Sequence, residues 1–94
     1  MQIEEKRPDM SAIIMEAQLA KALAADATLG RLRVSATSSP GDGVAIAVRG
    51  TVVGVWRWRN GMFAFTPSEA TRPAASLETI AEAVYETRER FAAP

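Results

Sequence analysis

Residues 51–66 read TVVGVWRWRNGMFAFT, and the Asn60-Gly61 pair at the centre decides the fold. Asparagine followed by glycine tolerates the positive φ at both central positions of a type I′ turn, the turn whose twist matches that of a β-hairpin. Two strands are therefore expected on either side, Thr51 to Arg59 and Met62 to Thr66. A two-residue turn also fixes the register. It pairs Arg59 with Met62, Trp58 with Phe63, Arg57 with Ala64 and Trp56 with Phe65. Cross-strand partners share a face, so Trp56, Trp58, Phe63 and Phe65 gather on one side of the sheet. Large aromatic rings carry the greatest burial gain, which makes that side the expected core.

Upstream, Arg49-Gly50 reads as a second tight turn that joins Val44–Val48 to the strand from Thr51. Taken as another two-residue hairpin, it puts Ala45, Ala47, Val52 and Gly54 on the aromatic face. Val44, Ile46, Val48, Val53 and Val55 then fall on the opposite face with Arg57 and Arg59. Further upstream, residues 31–37 alternate Leu32, Val34 and Ala36 against Arg31, Arg33, Ser35 and Thr37, the period of a half-buried strand. Residues 38–43, SSPGDG, form a loop.

A helix is expected on each flank. The first opens at Pro8 and Asp9, with Asp9 or Ser11 as cap, and runs to about Ala27. Its apolar residues Met10, Ile13, Ile14, Met15, Leu19 and Leu23 go nearly all the way round, as in a helix covered on more than one side. Gly30 closes the helical region. After Pro67 and a polar connection, Ser76 caps a second, amphipathic helix. Leu77, Ile80, Ala81, Val84, Tyr85 and Phe91 form its apolar stripe, and Glu86 and Arg90 are spaced as an i, i+4 pair. The whole reads as one α+β domain over residues 1–94, with residues 1–8 flexible: helix, four-stranded antiparallel meander, helix, in two layers.

Composition narrows the chemistry. The chain has 94 residues, no cysteine and no histidine. Disulfide frameworks, thiol nucleophiles, thiolate metal sites and histidine-based acid–base or metal chemistry are thereby ruled out. No catalytic, cofactor-binding or metal-ligating residue is assigned, and the chain is read as not an enzyme. The net formal charge is zero, which gives no global argument for a polyanionic partner. No apolar run is long enough to span a bilayer. The start has mixed charge and lacks signal-peptide character, so the expectation is a cytoplasmic protein without membrane contact.

The conspicuous motifs each have a plain reading. In Trp56-Arg57-Trp58-Arg59 the rings and the cations point to opposite faces and cannot grip one nucleic-acid strand together. Arg31, Arg33, Arg49, Arg57 and Arg59 do give the strands a basic bias, which keeps a nucleic-acid partner as the lesser alternative. Pro40-Gly41-Asp42-Gly43 lacks a P-loop lysine and leads into a strand, so it is a turn. Glu78, Glu82, Glu86 and Glu89 are a solvated helix face. Tyr85 and Arg88 are a packed ring and a snorkelling side chain.

The functional expectation is a non-catalytic interaction module, a homodimer or the binder of a protein partner, with a chaperone-like or regulatory role. The candidate interface is the valine face: Val44, Ile46, Val48, Val53, Val55, Arg57 and Arg59. The alternative is a small-molecule or single-stranded nucleic-acid binder that uses Trp56, Trp58, Phe63 and Phe65. The helix–sheet–helix order is also similar to that of secretion chaperones, a likeness of architecture alone.

Overall fold

The computed structural model describes residues 10–92; Pro8, Asp9 and the flexible segment expected over residues 1–8 lie outside the described residues. The fold is α+β. Helix α1 (Met10–Ala24) and the short α2 (Ala27–Arg31) precede a sheet of strands β1 (Val34–Ser39), β2 (Gly43–Val48), β3 (Thr51–Arg59), β4 (Met62–Pro67) and β5 (Ala75–Leu77), and α3 (Ile80–Ala92) follows. All neighbouring strands are antiparallel, in the order β1-β2-β3-β4-β5. The sheet thus has five strands where the sequence reading had four.

The β3–β4 hairpin follows the Asn60-Gly61 turn, with Asn60 at φ 54° and Gly61 at φ 77°. Its register is the expected one, Trp56 against Phe65 and Trp58 against Phe63. Gly54 gives the Phe65 ring its place: a Cβ there would stand 2.2 Å from Phe65 Cζ. The rings meet edge-on or tilted, Trp58 and Phe63 at 4.7 Å and Trp56 and Phe65 at 5.2 Å between centroids. Such geometries suit the quadrupoles of aromatic rings.

The β2–β3 hairpin corrects the sequence reading. Arg49 and Gly50 do form the tight turn, at φ 52° and 86°. Val48 faces Thr51 and Ala47 faces Val52, as expected. A β-bulge then intervenes, so that Ile46 pairs with Gly54, Ala45 with Val55 and Val44 with Trp56. One extra residue in β3, Val53, slips every later pair by one, and a slip of one moves each side chain to the other face. Val44 and Ile46 therefore join the aromatic core, both fully buried. Ala45 and Ala47 take the face to which the valines were assigned.

Both longer helices cover the aromatic face. Leu19, Ala20 and Leu23 of α1 and Ala83 and Val84 of α3 complete one core with Val34, Val44, Ile46, Trp56, Phe63 and Phe65. A buried hydrogen bond bolts α3 to β3: Trp56 Nε1 donates to Thr87 Oγ1 at 3.0 Å, and the Thr87 hydroxyl donates to the Ala83 carbonyl at 2.7 Å. Phe91 and the Arg90 guanidinium rest on the Phe65 ring.

The helix ends also differ from expectation. Asp26 breaks the first helical region by capping α2, its carboxylate accepting from Leu29 N at 3.0 Å. Gly30 lies inside α2, and Arg33, at φ 63°, makes the exit into β1. At the start of α3, Thr79 and Glu82 form a reciprocal capping box: Glu82 N donates to Thr79 Oγ1 at 3.1 Å, and Thr79 N donates to Glu82 Oε1 at 3.2 Å. Ser76, read as the cap, lies instead in β5 opposite Ala64. The buried stripe of α3 is Ala83, Val84 and Thr87, and Tyr85 is exposed.

Candidate interaction surface

With both longer helices on one side, the other side of the sheet has no cover among the described residues. Pairing gives its layout. Ser35 lies beside Ala47 and then Val52, and Thr37 lies beside Ala45, Val55 and Thr66. Arg57 lies beside Ala64 and Ser76, and Arg59 beside Met62. The centre, Ala45, Ala47, Val55 and Ala64, is small, apolar and half-buried; serine and threonine flank it. Antiparallel sheets commonly face water on one side, but through longer polar residues than these.

The connection after β4 makes a side wall. Ser68 N donates to the Val53 carbonyl and Ser68 Oγ to the Val52 carbonyl, while Ala74 N donates to the Phe65 carbonyl. Ala70, Thr71 and Pro73 thereby stand beside Val55, Ala64 and Thr66 and enclose a cleft of about 430 Å³.

Of the expected interface, the structure keeps Val55, Arg57 and Arg59 together on this open face. Val44 and Ile46 are in the core, and Val48 and Val53 pack against it. Of the alternative aromatic site, Trp56, Phe63 and Phe65 are at most 1% exposed, and Trp58 is half-buried. The rings that base stacking would need are thus largely closed to solvent.

The charges differ in their partners. Arg88 donates to Asp26 through Nε at 2.8 Å and Nη2 at 2.6 Å, and Arg90 pairs with Glu86 at 2.9 Å. The hydrogen bond from Arg88, joined by that from Leu29 N, holds the Asp26 carboxyl below its ordinary range. Arg57 and Arg59 have no salt bridge among the described residues. Both line a second cleft of about 450 Å³ at the hairpin end, with Trp58, Asn60, Gly41 and Glu16.

Glu16 is the residue the sequence reading passed over. It is 6% exposed, and its Oε2 accepts from Trp58 N at 2.9 Å. The cause lies in the strand lengths. Trp56 pairs with Val44, so the inward-turned amide of Trp58 would need a partner beyond Gly43, where β2 has not yet begun. The carboxylate takes the place of the missing strand. Nothing in the helical pattern of residues 10–24 marks Glu16 for this, because the vacancy is set by two strands distant in sequence.

Among the described residues no three of histidine, cysteine, aspartate and glutamate gather as metal ligands, and no helix is long and apolar enough to cross a membrane. No protein-family model, curated protein or solved structure matches the chain.

Proposed function

We propose that the chain is a non-catalytic protein-interaction module that works as a homodimer and receives a partner helix on its open sheet face. One observation carries the reading: the uncovered face is lined by Ala45, Ala47, Val55 and Ala64 and ends in two arginines that have no salt bridge among the described residues. From Thr37 in β1 to Thr66 in β4 is three strand spacings, about 14 Å. A helix with its side chains is about 10–12 Å across, so one helix fills the trough beside the wall of residues 68–73. Small side chains let it approach closely. Acidic residues on that helix would meet Arg57 and Arg59.

The test is capture from cell extract by the wild-type chain and by a double variant, Arg57→Glu with Ala64→Glu, whose urea melts establish that it is folded. The proposal expects a partner that binds the wild type through a helical segment and is lost from the variant. Identical capture by both would overturn it. No observation favours the aromatic alternative, because three of its four rings, Trp56, Phe63 and Phe65, lie in the core.

A further inference from the structure

Strand β1 is an edge, and its sequence has none of the residues that keep edges from pairing. It runs six residues, VSATSS, with no charge, no proline and no bulge against β2. Natural monomers blunt such edges with lysine, proline, bulges or short length. The opposite edge is so protected: β5 has three residues and follows Pro73. We infer that β1 pairs antiparallel with β1 of a second copy, joining two five-stranded sheets into one continuous sheet with the helices of both copies on the same side. The inference rests on the self-association part of the proposed function and gives it a mode.

The backbone phase and the length of β1 choose the register. Arg49 N donates to the Arg33 carbonyl at 2.9 Å, so that carbonyl points toward β2 and the Val34 N–H of the same trans peptide points away from it. Alternation then turns Ser35, Thr37 and Ser39 toward β2, and Val34, Ala36 and Ser38 outward. In a two-fold pair, outward residues must meet outward residues on the same face. Of the registers this allows, the one that pairs all three outward residues sets Ala36 against the partner's Ala36 on the axis and Val34 against the partner's Ser38. These three pairs exchange about six hydrogen bonds. Only a methyl group from each copy stands at the axis, so no strand side chain obstructs the approach.

Two further observations point to a second copy as the occupant. Ile13 and Ala17 line a small cleft with Ser38, Ser39 and Pro40, so this flank of α1 overlies the β1 edge. Met10 and Ile14 continue the flank and are 66% and 50% exposed. The two-fold axis sets the partner's α1 beside them. The ends are also complementary in charge. Arg31 and Arg33 precede β1 and Asp42 follows it, and none has a salt bridge among the described residues. Antiparallel pairing brings the arginines of each copy to the turn that carries the partner's Asp42.

The chain has no cysteine, so an introduced one is unique. In this register Ser35 faces the partner's Thr37 as a non-hydrogen-bonded pair, at a Cα separation of about 4.5 Å, which a disulfide spans. A mixture of Ser35→Cys chains and Thr37→Cys chains should therefore cross-link on oxidation, while either alone should not. Wild type should sediment as a dimer at high micromolar concentration. Ser38→Pro removes an outward amide and leaves the ladder to β2 intact, so it should halve the mass with circular dichroism unchanged. If Ser38→Pro does not fold, the cross-linking result decides. A wild-type monomer would overturn both the inference and the homodimer reading. A dimer without mixed cross-links would overturn the edge pairing alone; loss of that dimer in Arg57→Glu would then move self-association to the open face.

Discussion

Replacing Thr87 with valine tests how α3 is held to the sheet. The two side chains have nearly the same shape, so the change removes the hydroxyl and little else. Thr87 and Trp56 are each 1% exposed, and the indole N–H has the Thr87 oxygen, at 3.0 Å, as its partner. Valine leaves that N–H buried and unpaired, which costs about 1–3 kcal/mol. The Ala83 carbonyl also loses the bond it accepts from the hydroxyl. A loss near 2 kcal/mol is a large part of what a domain of this size has, roughly 5–14 kcal/mol. For so small a domain each kcal/mol moves Tm by about 4–8 °C, so a fall of about 8–16 °C is expected. Urea melts of Thr87→Val, Trp56→Phe and the double variant measure the coupling. In the Trp56→Phe background the indole is gone, and Thr87→Val should cost much less. An equal cost in both backgrounds, or a Thr87→Val protein as stable as wild type, would refute the bolt.

Other substitutions probe the remaining links. Gly54→Ala should destabilise by about 1–3 kcal/mol in urea melts, because the added methyl meets the Phe65 ring in a filled core. Gly61→Ala should cost about 1 kcal/mol from backbone strain alone, since φ is 77° and nothing lies within 4 Å of a Cβ there. Asp26 should give stability a dependence on acid. Its folded pKa lies below the ordinary 3.8, so its contribution is complete above that value and is lost as pH falls through the lower folded value. Asp26→Asn keeps a capping side chain but not the charge, so it should lower Tm at pH 7 and flatten the Tm profile below pH 4.

The sequence made one hairpin fully legible and the next only in part. Asn60-Gly61 specifies turn and register together, and all four aromatic positions follow from it. Arg49-Gly50 specifies the turn, but the bulge at Val53 depends on how β3 settles against two neighbours. Its nearest local sign is Gly54, a residue type often found beside bulges. One undetected bulge turned Val44 and Ile46 from core to surface in the sequence reading, and with them most of the expected interface. Strand β5 is three residues long, too short to show a period. The Thr79–Glu82 box was readable as a helix start, yet Ser76 offered a competing cap and only tertiary pairing with Ala64 resolves the two. Glu16 could not be found locally, since the amide it satisfies belongs to Trp58.

Amide hydrogen exchange at Val34, Ala36 and Ser38, followed by NMR over a range of protein concentration, tests most directly whether the working unit is a pair of copies joined through β1. These three amides point away from β2 and have no strand beside them among the described residues of a single chain. Pairing through β1 gives slow exchange at high concentration that becomes fast on dilution, while Ser35 and Thr37, bonded to β2, stay protected throughout. Fast exchange at Val34, Ala36 and Ser38 at every concentration would contradict it.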